Sequence, residues 1–583
     1  MKKVMLGDEA VARGAYEYGV TFAAAYPGTP STEILENIAQ YKEIYSEWAP
    51  NEKVAVEAAI GASIAGARSL AAMKHVGLNV AADPLFTFAY TGVNGGCVIV
   101  TADDPGMHSS QNEQDNRYYA KFAKIPMLEP SDSQECKDFV GIALDISEKY
   151  DTPVLLRLTT RVAHGKGVVE LGERKPVEMK PYKKDIPKYV MVPANAQKRH
   201  VVVEERLKVL EELTEKIEIN RIEWGGRDIG IITSGISYLY VKEVFGDEVS
   251  VLKLGMTYPL PSKLIRKFAE SVKKLYVVEE LEPYIEEHVR ALGIEVIGKE
   301  LIPRIGELNP GIIRKAIKKE ELPHVSVEVK VPGRPPMLCA GCPHRGVFYV
   351  LRKKRVPVLG DIGCYTLGAA PPLEAIDTCI CMGASISGSH GFQKAIEHSG
   401  RKQKIFSVIG DSTFFHSGIT GLIDIVYNKG NAVPIILDNR ITAMTGHQHN
   451  PGTGKTLMGE DAPEIDIAKL SEAIGVKRVR VVNPFKLKEI EDAVDEAMNT
   501  DDTMVIIAKG PCALIPPKPQ GECKIDQEKC KKCGMCLRIG CPAISKKDGI
   551  FSIDPDQCTG CTVCQQVCPF DAIECVSHRG EVK

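Results

Sequence analysis

Two hydrophobic patterns alternate along the first 170 residues. Short apolar runs at 97–101 (CVIVT) and 153–158 (PVLLRL) read as buried strands, and Ala- and Gly-rich stretches of helical character separate them. That alternation predicts an α/β domain built on a parallel sheet. A second such pattern starts at 228–235 (DIGIITSG), continues through 275–280 (LYVVEE) and fades into charged sequence near 315–330. A third occupies roughly 335–515, with strands expected at 404–409 (KIFSVI), 433–437 (VPIIL) and 504–508 (MVIIA). Residues 171–200 are rich in Pro and Lys with weak periodicity and read as a linker, and 516–521 (PPKPQG) as a hinge before a cysteine-rich tail. The expected organisation is therefore 1–170, a linker at 171–225, then 226–330, 331–515 and 522–583.

A chain of 583 residues is too long for one hydrophobic core, consistent with several domains. A net charge of −3 gives no electrostatic reason to expect nucleic acid or an anionic membrane. The most apolar stretch, 54–73, is interrupted by Glu57 and Arg68 and reads as a buried or amphipathic helix rather than a membrane span. The N-terminal MKKVMLGDEAVARGAYEYG turns charged before an apolar signal core forms, so the expectation is a cytoplasmic protein.

Cysteine changes the picture. Of 18 cysteines, nine lie in the last 54 residues at short intervals, which suits metal ligation better than disulfides. Segments 526–545 and 554–573 look like one internal duplication. The first carries Cys530, Cys533, Cys536 and Cys541-Pro542; the second carries Cys558, Cys561, Cys564 and Cys568-Pro569. In two-cluster ferredoxins, three closely spaced cysteines hold one cubane and the cysteine before proline ligates the other. Cys530, Cys533, Cys536 and Cys568 are thus expected on one [4Fe–4S] cluster, and Cys541, Cys558, Cys561 and Cys564 on a second. A zinc ribbon also uses paired cysteines, but two triple runs each ending in Cys-Pro are far more specific. Cys523 and Cys575 fall outside the pattern.

Clusters carry electrons, so a reaction centre is expected elsewhere. Gly410-Asp411-Ser412 follows one predicted strand, and after 26 intervening residues Asn439 follows the next. This resembles the diphosphate motif of thiamine-dependent enzymes. A Gly turn lets backbone amides approach phosphate oxygens, and Asp411 and Asn439 offer hard oxygen ligands to Mg²⁺. The resemblance also implies the backbone carbonyl of Ile441 as a ligand. A carboxyl group is needed at the cofactor's aminopyrimidine end. Thiamine enzymes commonly place that Glu nine residues before a Gly on an Ala/Gly-rich helix, which matches Glu52 and Gly61. Glu57 lies five residues on, about 140° round the helix, so both cannot serve; Glu52 is the choice.

Longer strings make the resemblance specific: 26–31 (YPGTPS), 73–79 (MKHVGLN), 109–117 (SSQNEQDNR), 339–345 (CAGCPHR), 360–368 (GDIGCYTLG), 410–418 (GDSTFFHSG) and 438–448 (DNRITAMTGHQ). In this order they resemble the α-subunit of the indolepyruvate:ferredoxin oxidoreductases, within the 2-oxoacid:ferredoxin oxidoreductase family. The resemblance implies a pyrimidine-binding domain at 1–170, a transketolase C-terminal-like domain at 226–330, a diphosphate-binding domain at 331–515 and a ferredoxin domain at 522–583. It implies thiamine diphosphate, Mg²⁺ and [4Fe–4S] clusters as cofactors, with a smaller β-subunit, an α2β2 assembly, and CoA and ferredoxin as reaction partners. The reaction would be oxidative decarboxylation of an aryl 2-oxoacid to the aryl-acetyl-CoA. Thr29 is the expected donor to substrate, Arg117 a candidate for its carboxylate, and His447 and Gln448 polar groups that face the thiazolium or substrate.

Cys339, Cys342, Cys364 and Cys512 leave two readings open: a third, proximal cluster as in related enzymes, or ordinary buried cysteines, a reading that also covers Cys379 and Cys381. The competing functional readings are another 2-oxoacid, such as pyruvate or a branched-chain acid, an electron-transfer scaffold without its own chemistry, and a non-oxidative thiamine decarboxylase. The clusters argue against the last.

Overall fold

The computed structural model describes residues 1–321, 323, 329, 331–516 and 521–577. The chain divides into two compact units, Met1–Glu328 and Val329–Lys583.

Unit 1 is organised around a seven-stranded sheet in the order Met256–Tyr258, Met127–Leu128, Val154–Thr159, Cys97–Asp103, Ser69–Lys74, Phe22–Ala25, Tyr45–Trp48. Every pairing is parallel except the edge strand Met256–Tyr258. Parallel strands covered on both faces need unbroken apolar runs rather than alternation, and every residue of Cys97–Asp103 and Val154–Thr159 is buried. A four-stranded sheet follows, ordered Lys274–Val278, Ile229–Ser234, Ser250–Leu254, Arg221–Glu223, with the last strand antiparallel. The edge strand of the larger sheet comes two residues after Ser250–Leu254, so one continuous segment stitches the two sheets together.

The segment read as a linker is more structured than its composition suggested. It contains the 22-residue helix Pro193–Thr214, which buries Val203 and Leu210 and packs on helix Ala82–Thr91. Arg206 fixes it in place, donating to the carbonyls of Asp151 (2.6 Å) and Ala89 (2.5 Å).

Unit 2 holds a six-stranded, wholly parallel sheet in the order Thr378–Cys379, Val358–Gly360, Phe406–Gly410, Val433–Asp438, Met504–Lys509, Arg478–Val482. The tail adds two antiparallel pairs, Gly521–Ile525 with Ile573–Ser577 and Ile544–Lys547 with Ile550–Ile553. Cys523 and Cys575, opposite each other in the first pair, form a disulfide. The tail is not a separate bead: Ile539, Ile544, Val563 and Val567 share one hydrophobic core with Val347, Leu351, Leu487 and Ile490. Of the predicted hinge, residues 517–520 lie outside the described residues. Among the described residues no helix is long and apolar enough to cross a membrane.

Candidate functional site

In open α/β sheets, ligands bind beyond the carboxyl ends of the strands, where successive loops converge. In unit 1, Thr29 follows strand Phe22–Ala25, Glu52 follows Tyr45–Trp48, Lys74 ends Ser69–Lys74 and Asp104 follows Cys97–Asp103. Glu52 is the first residue of helix Glu52–Ala65, whose start is capped by Asn51 accepting from the Val54 amide (2.9 Å). The Glu52 side chain is buried against Gly77, where an added Cβ would stand 2.7 Å from its Cγ and Oε1. Glu57 instead faces solvent and pairs with Lys53. The two carboxyl groups thus separate as helical spacing requires, with Glu52 inward.

Lys74 had no role in the sequence reading. Its stem runs along Gly28, 3.3 Å from a Cβ placed there, and its ammonium donates to the Ser109 carbonyl (2.9 Å). Burial holds its pKa below the usual lysine range, although Asp104 and Glu52 pull the other way. Asp104 anchors the loop after its strand by accepting from the Ser109 amide (2.9 Å), Ser110 (2.6 Å) and Thr160 (2.8 Å). A lysine in an apolar-flanked string carries no sequence signal for such a position. Thr29 is half-buried, its carbonyl accepting weakly from Ser109 (3.4 Å), while Ser31 occupies the N-cap position of the next helix.

Arg117 does not reach toward a substrate. It is 1% exposed, pairs with Asp115 and Glu279, and donates to the carbonyls of Glu280 (3.0 Å) and Glu282 (3.1 Å). Arg157, Asp103 and Glu129 extend the same buried network. Every face of the guanidinium is committed, so a free carboxylate clamp there is excluded.

In unit 2, Gly410 ends one strand and Asp411 begins the next turn, while Asn439 follows Asp438 at the end of its neighbour. Tyr365 crowds Gly410, its Cε1 2.7 Å from where a Cβ would stand, so no side chain fits. Asn439 Oδ1 lies 2.8 Å from the Ile441 carbonyl oxygen and 3.1 Å from Asp411 Oδ1: an acceptor facing two acceptors. Turning the amide would make hydrogen bonds of both contacts. A hard cation needs the amide as it stands, since oxygens about 2.1 Å from Mg²⁺ on adjacent octahedral corners are about 3 Å apart. The donor set therefore fits Mg²⁺. Asn450, missed in the sequence because it lies on the loop beyond any motif, donates to Asp411 Oδ2 (3.1 Å). Ser412 accepts from Thr442 (2.9 Å), tying the turn to the Asn439 loop. Burial, then Asp438, pushes the Asp411 carboxyl up to about 7. Gln448 is buried, bonded to Thr445 within its own loop, whereas His447 is exposed with Nε2 4.0 Å from Cys512 Sγ.

The tail cysteines gather in two recesses, one of about 330 Å³ lined by Cys530, Cys533, Cys536 and Cys568, the other of about 340 Å³ by Cys541, Cys558, Cys561 and Cys564. Cys568 thus lies beside the first three cysteines and Cys541 beside the second three. A third group forms at the carboxyl edge of the sheet. Cys342 is pushed up to about 12 by burial, with Cys339 and Cys364 adding to it, and Cys364 up to about 11 by burial, with Cys512 and Cys339 adding. Cys342 is thus linked electrostatically to Cys339 and Cys364, and Cys364 in turn to Cys512, and the Cys512 amide donates to the Asn439 carbonyl (3.0 Å). Cys379 and Cys381 are exposed, so the core-cysteine reading fails for them.

Three family models match: a pyruvate flavodoxin/ferredoxin oxidoreductase thiamine-diphosphate-binding domain at 13–216, a C-terminal thiamine pyrophosphate-binding domain at 361–508, and a 4Fe-4S binding domain at 551–574. The indolepyruvate oxidoreductase subunit IorA of Archaeoglobus fulgidus is 44% identical over 98% of this chain and 97% of its own length. The protein of that name from Methanothermobacter thermautotrophicus is 46% identical over the same shares. The 2-oxoglutarate synthase subunit KorA of Methanocaldococcus jannaschii is 27% identical over 51% of this chain and 95% of its own.

Proposed function

This chain belongs to the family of the indolepyruvate oxidoreductase subunit IorA, and from that premise we propose that it oxidatively decarboxylates aryl 2-oxoacids, of the indolepyruvate and phenylpyruvate type, to the aryl-acetyl-CoA. Membership makes it a thiamine-diphosphate-dependent 2-oxoacid oxidoreductase subunit passing electrons through iron–sulfur centres to ferredoxin. The full-length similarity carries the substrate class. A smaller partner subunit, an α2β2 assembly and a cytoplasmic location complete the reading.

Asp411, Asn439 and the Ile441 carbonyl would hold Mg²⁺ at the diphosphate, and the Gly410 turn, where no side chain fits, would give the backbone access to phosphate oxygens. Glu52, buried against Gly77, would be the carboxyl group that exchanges a proton with the aminopyrimidine. Thiamine diphosphate, when bound, supplies the electron sink that decarboxylation requires. Lys74, a cation held among Glu52, Asp104 and the Thr29 loop, joins Thr29 in orienting the anionic substrate.

Cys339, Cys342, Cys364 and Cys512 hold a third, proximal [4Fe–4S] cluster. Two features support it: the thiols are linked electrostatically through Cys339 and Cys364, and the Cys512 amide donates to the carbonyl of Asn439, the proposed Mg²⁺ ligand. Ala340 and Gly341, between the first two cysteines, line the Cys541/Cys558/Cys561/Cys564 recess. The other recess is lined by tail residues alone. With clusters bound, the Cys541 set would stand between the proximal set, whose Ala340 and Gly341 line its recess, and the Cys530 set, the order an electron path toward ferredoxin would need. Anaerobic dye reduction by the chain with its partner subunit, run over a panel of 2-oxoacids, tests the proposal. Indolepyruvate or phenylpyruvate should react fastest, and a clear preference for pyruvate or 2-oxoglutarate overturns the substrate class.

A further inference from the structure

Away from both sites, unit 1 brings together Asp8, Glu33 and His164, one ligand atom of each lying within 4.8 Å of the others. They come from three elements. Asp8 is the second residue of helix Gly7–Glu17, Glu33 the second of Thr32–Ile38, and His164 the last of Thr160–His164. Packing fixes the first and third against each other: a Cβ on Gly7 would stand 2.0 Å from the Val162 carbonyl oxygen, and the Gly7 amide donates to Gly165 (3.2 Å).

The group is electrostatically incomplete. Asp8 is fully buried, and neither of its carboxylate oxygens has a hydrogen-bond partner; Glu33 Oε2 and His164 Nε2 are also buried without one. The His164 imidazole nitrogen stands 3.5 Å from Glu33, an ion-pair distance that falls short of hydrogen-bond geometry, and it draws the Glu33 carboxyl below its usual range. Among the described residues no lysine or arginine pairs with any of the three. A fully buried carboxylate beside a second one costs several kcal/mol unless a cation or a proton compensates it. A proton on Asp8 would bridge the two acids at most, with His164 turned to Glu33 alone and one buried Asp8 oxygen still unmet. A divalent cation engages all three side chains at once.

We propose that Asp8, Glu33 and His164 form a binding site for a first-row divalent cation of the zinc type, separate from the thiamine and cluster machinery. One imidazole nitrogen and two carboxylates are a normal protein set for Zn²⁺, with the fourth position left to water. Tetrahedral ligands about 2.1 Å from zinc are about 3.4 Å apart, so the side chains must draw in by roughly 1 Å. Entry is open on one side, since the His164 and Glu33 side chains are about one-third exposed (34% and 36%) while Asp8 forms the floor. Bound metal would clamp three helices, including the one that directly follows the Thr29 loop.

The test uses anaerobically purified enzyme with clusters intact, saturated with Mg²⁺ and thiamine diphosphate, then titrated with Zn²⁺. One additional equivalent should bind, with a zinc K-edge absorption shell of nitrogen and oxygen at 2.0–2.2 Å. It should be lost in Asp8→Asn and in His164→Ala, with iron and thiamine content unchanged. His164→Ala alters a partly exposed side chain and keeps the test alive if Asp8→Asn does not fold. Absence of zinc uptake, a sulfur shell near 2.3 Å, or full retention of the metal in the variants overturns the proposal.

Discussion

Glu52 and Glu57 sit on one helix in the same apolar sequence, yet only Glu52 is buried, against a glycine that leaves it room. Glu52→Gln is expected to retain thiamine diphosphate, because the oxygen ligands of unit 2 are untouched, and to lose about 10²- to 10⁴-fold in turnover, the usual worth of a positioned acid or base. Glu57→Gln should stay near wild type, since an exposed i,i+4 pair is worth only about 0.3–0.5 kcal/mol. Steady-state kinetics beside cofactor content checks both. That the two carboxyl groups must part was legible from helical geometry, whereas the choice of Glu52 rested on the resemblance in spacing to Gly61. The approach of the Asp411 and Asn439 oxygens was legible from motif spacing, and that of the Ile441 carbonyl from the resemblance alone. Lys74 and Asn450 were not, because their positions depend on where loops return rather than on periodicity. Arg117 was misjudged for the same reason: nothing local reveals that Glu279, 162 residues away, will meet it in the interior.

Strands were the most readable elements, since a fully buried parallel strand has no choice but to be an apolar run. The helix Pro193–Thr214 was hidden by the opposite circumstance. Its inward positions Val203, Arg206 and Leu210 follow helical spacing, but Val201, Val202 and Val209 are exposed and blur the stripe. Its attachment also relies on an arginine reaching two carbonyls, which no hydrophobic pattern encodes. The buried network joining Arg117 to Glu279 links the helix Arg117–Ala123 to the strand end of the four-stranded sheet. Removing one member leaves its partners charged and buried, so Arg117→Ala should destabilise the enzyme by about 3–5 kcal/mol. Thermal and chemical unfolding would show the loss, while KM for the 2-oxoacid in the remaining folded enzyme should hold. A raised KM with unchanged stability would return Arg117 to the substrate.

On the scale of the molecule, three groups of cysteines drawn from distant parts of one unit would make it a conductor once all three carried the proposed clusters. Iron analysis reads that arrangement directly: three loaded clusters give about twelve irons per chain, and two give about eight. Cys512→Ser should lower the count by about four while the tail clusters persist, and should slow reduction of ferredoxin more than it weakens thiamine binding. An unchanged iron content would leave those cysteines metal-free. Excising the tail is a poorer experiment, because Ile539, Ile544, Val563 and Val567 complete the core of the preceding domain.

That shared core has a consequence for how the protein is made. The tail has few apolar residues of its own and must be shaped by its clusters before it can cover the domain it rests on. Polypeptide synthesised faster than iron and sulfide arrive would display an uncovered apolar face, a ready substrate for chaperones and proteases. The cell's ration of iron would then set how many copies mature, not merely how many of the mature copies can pass electrons.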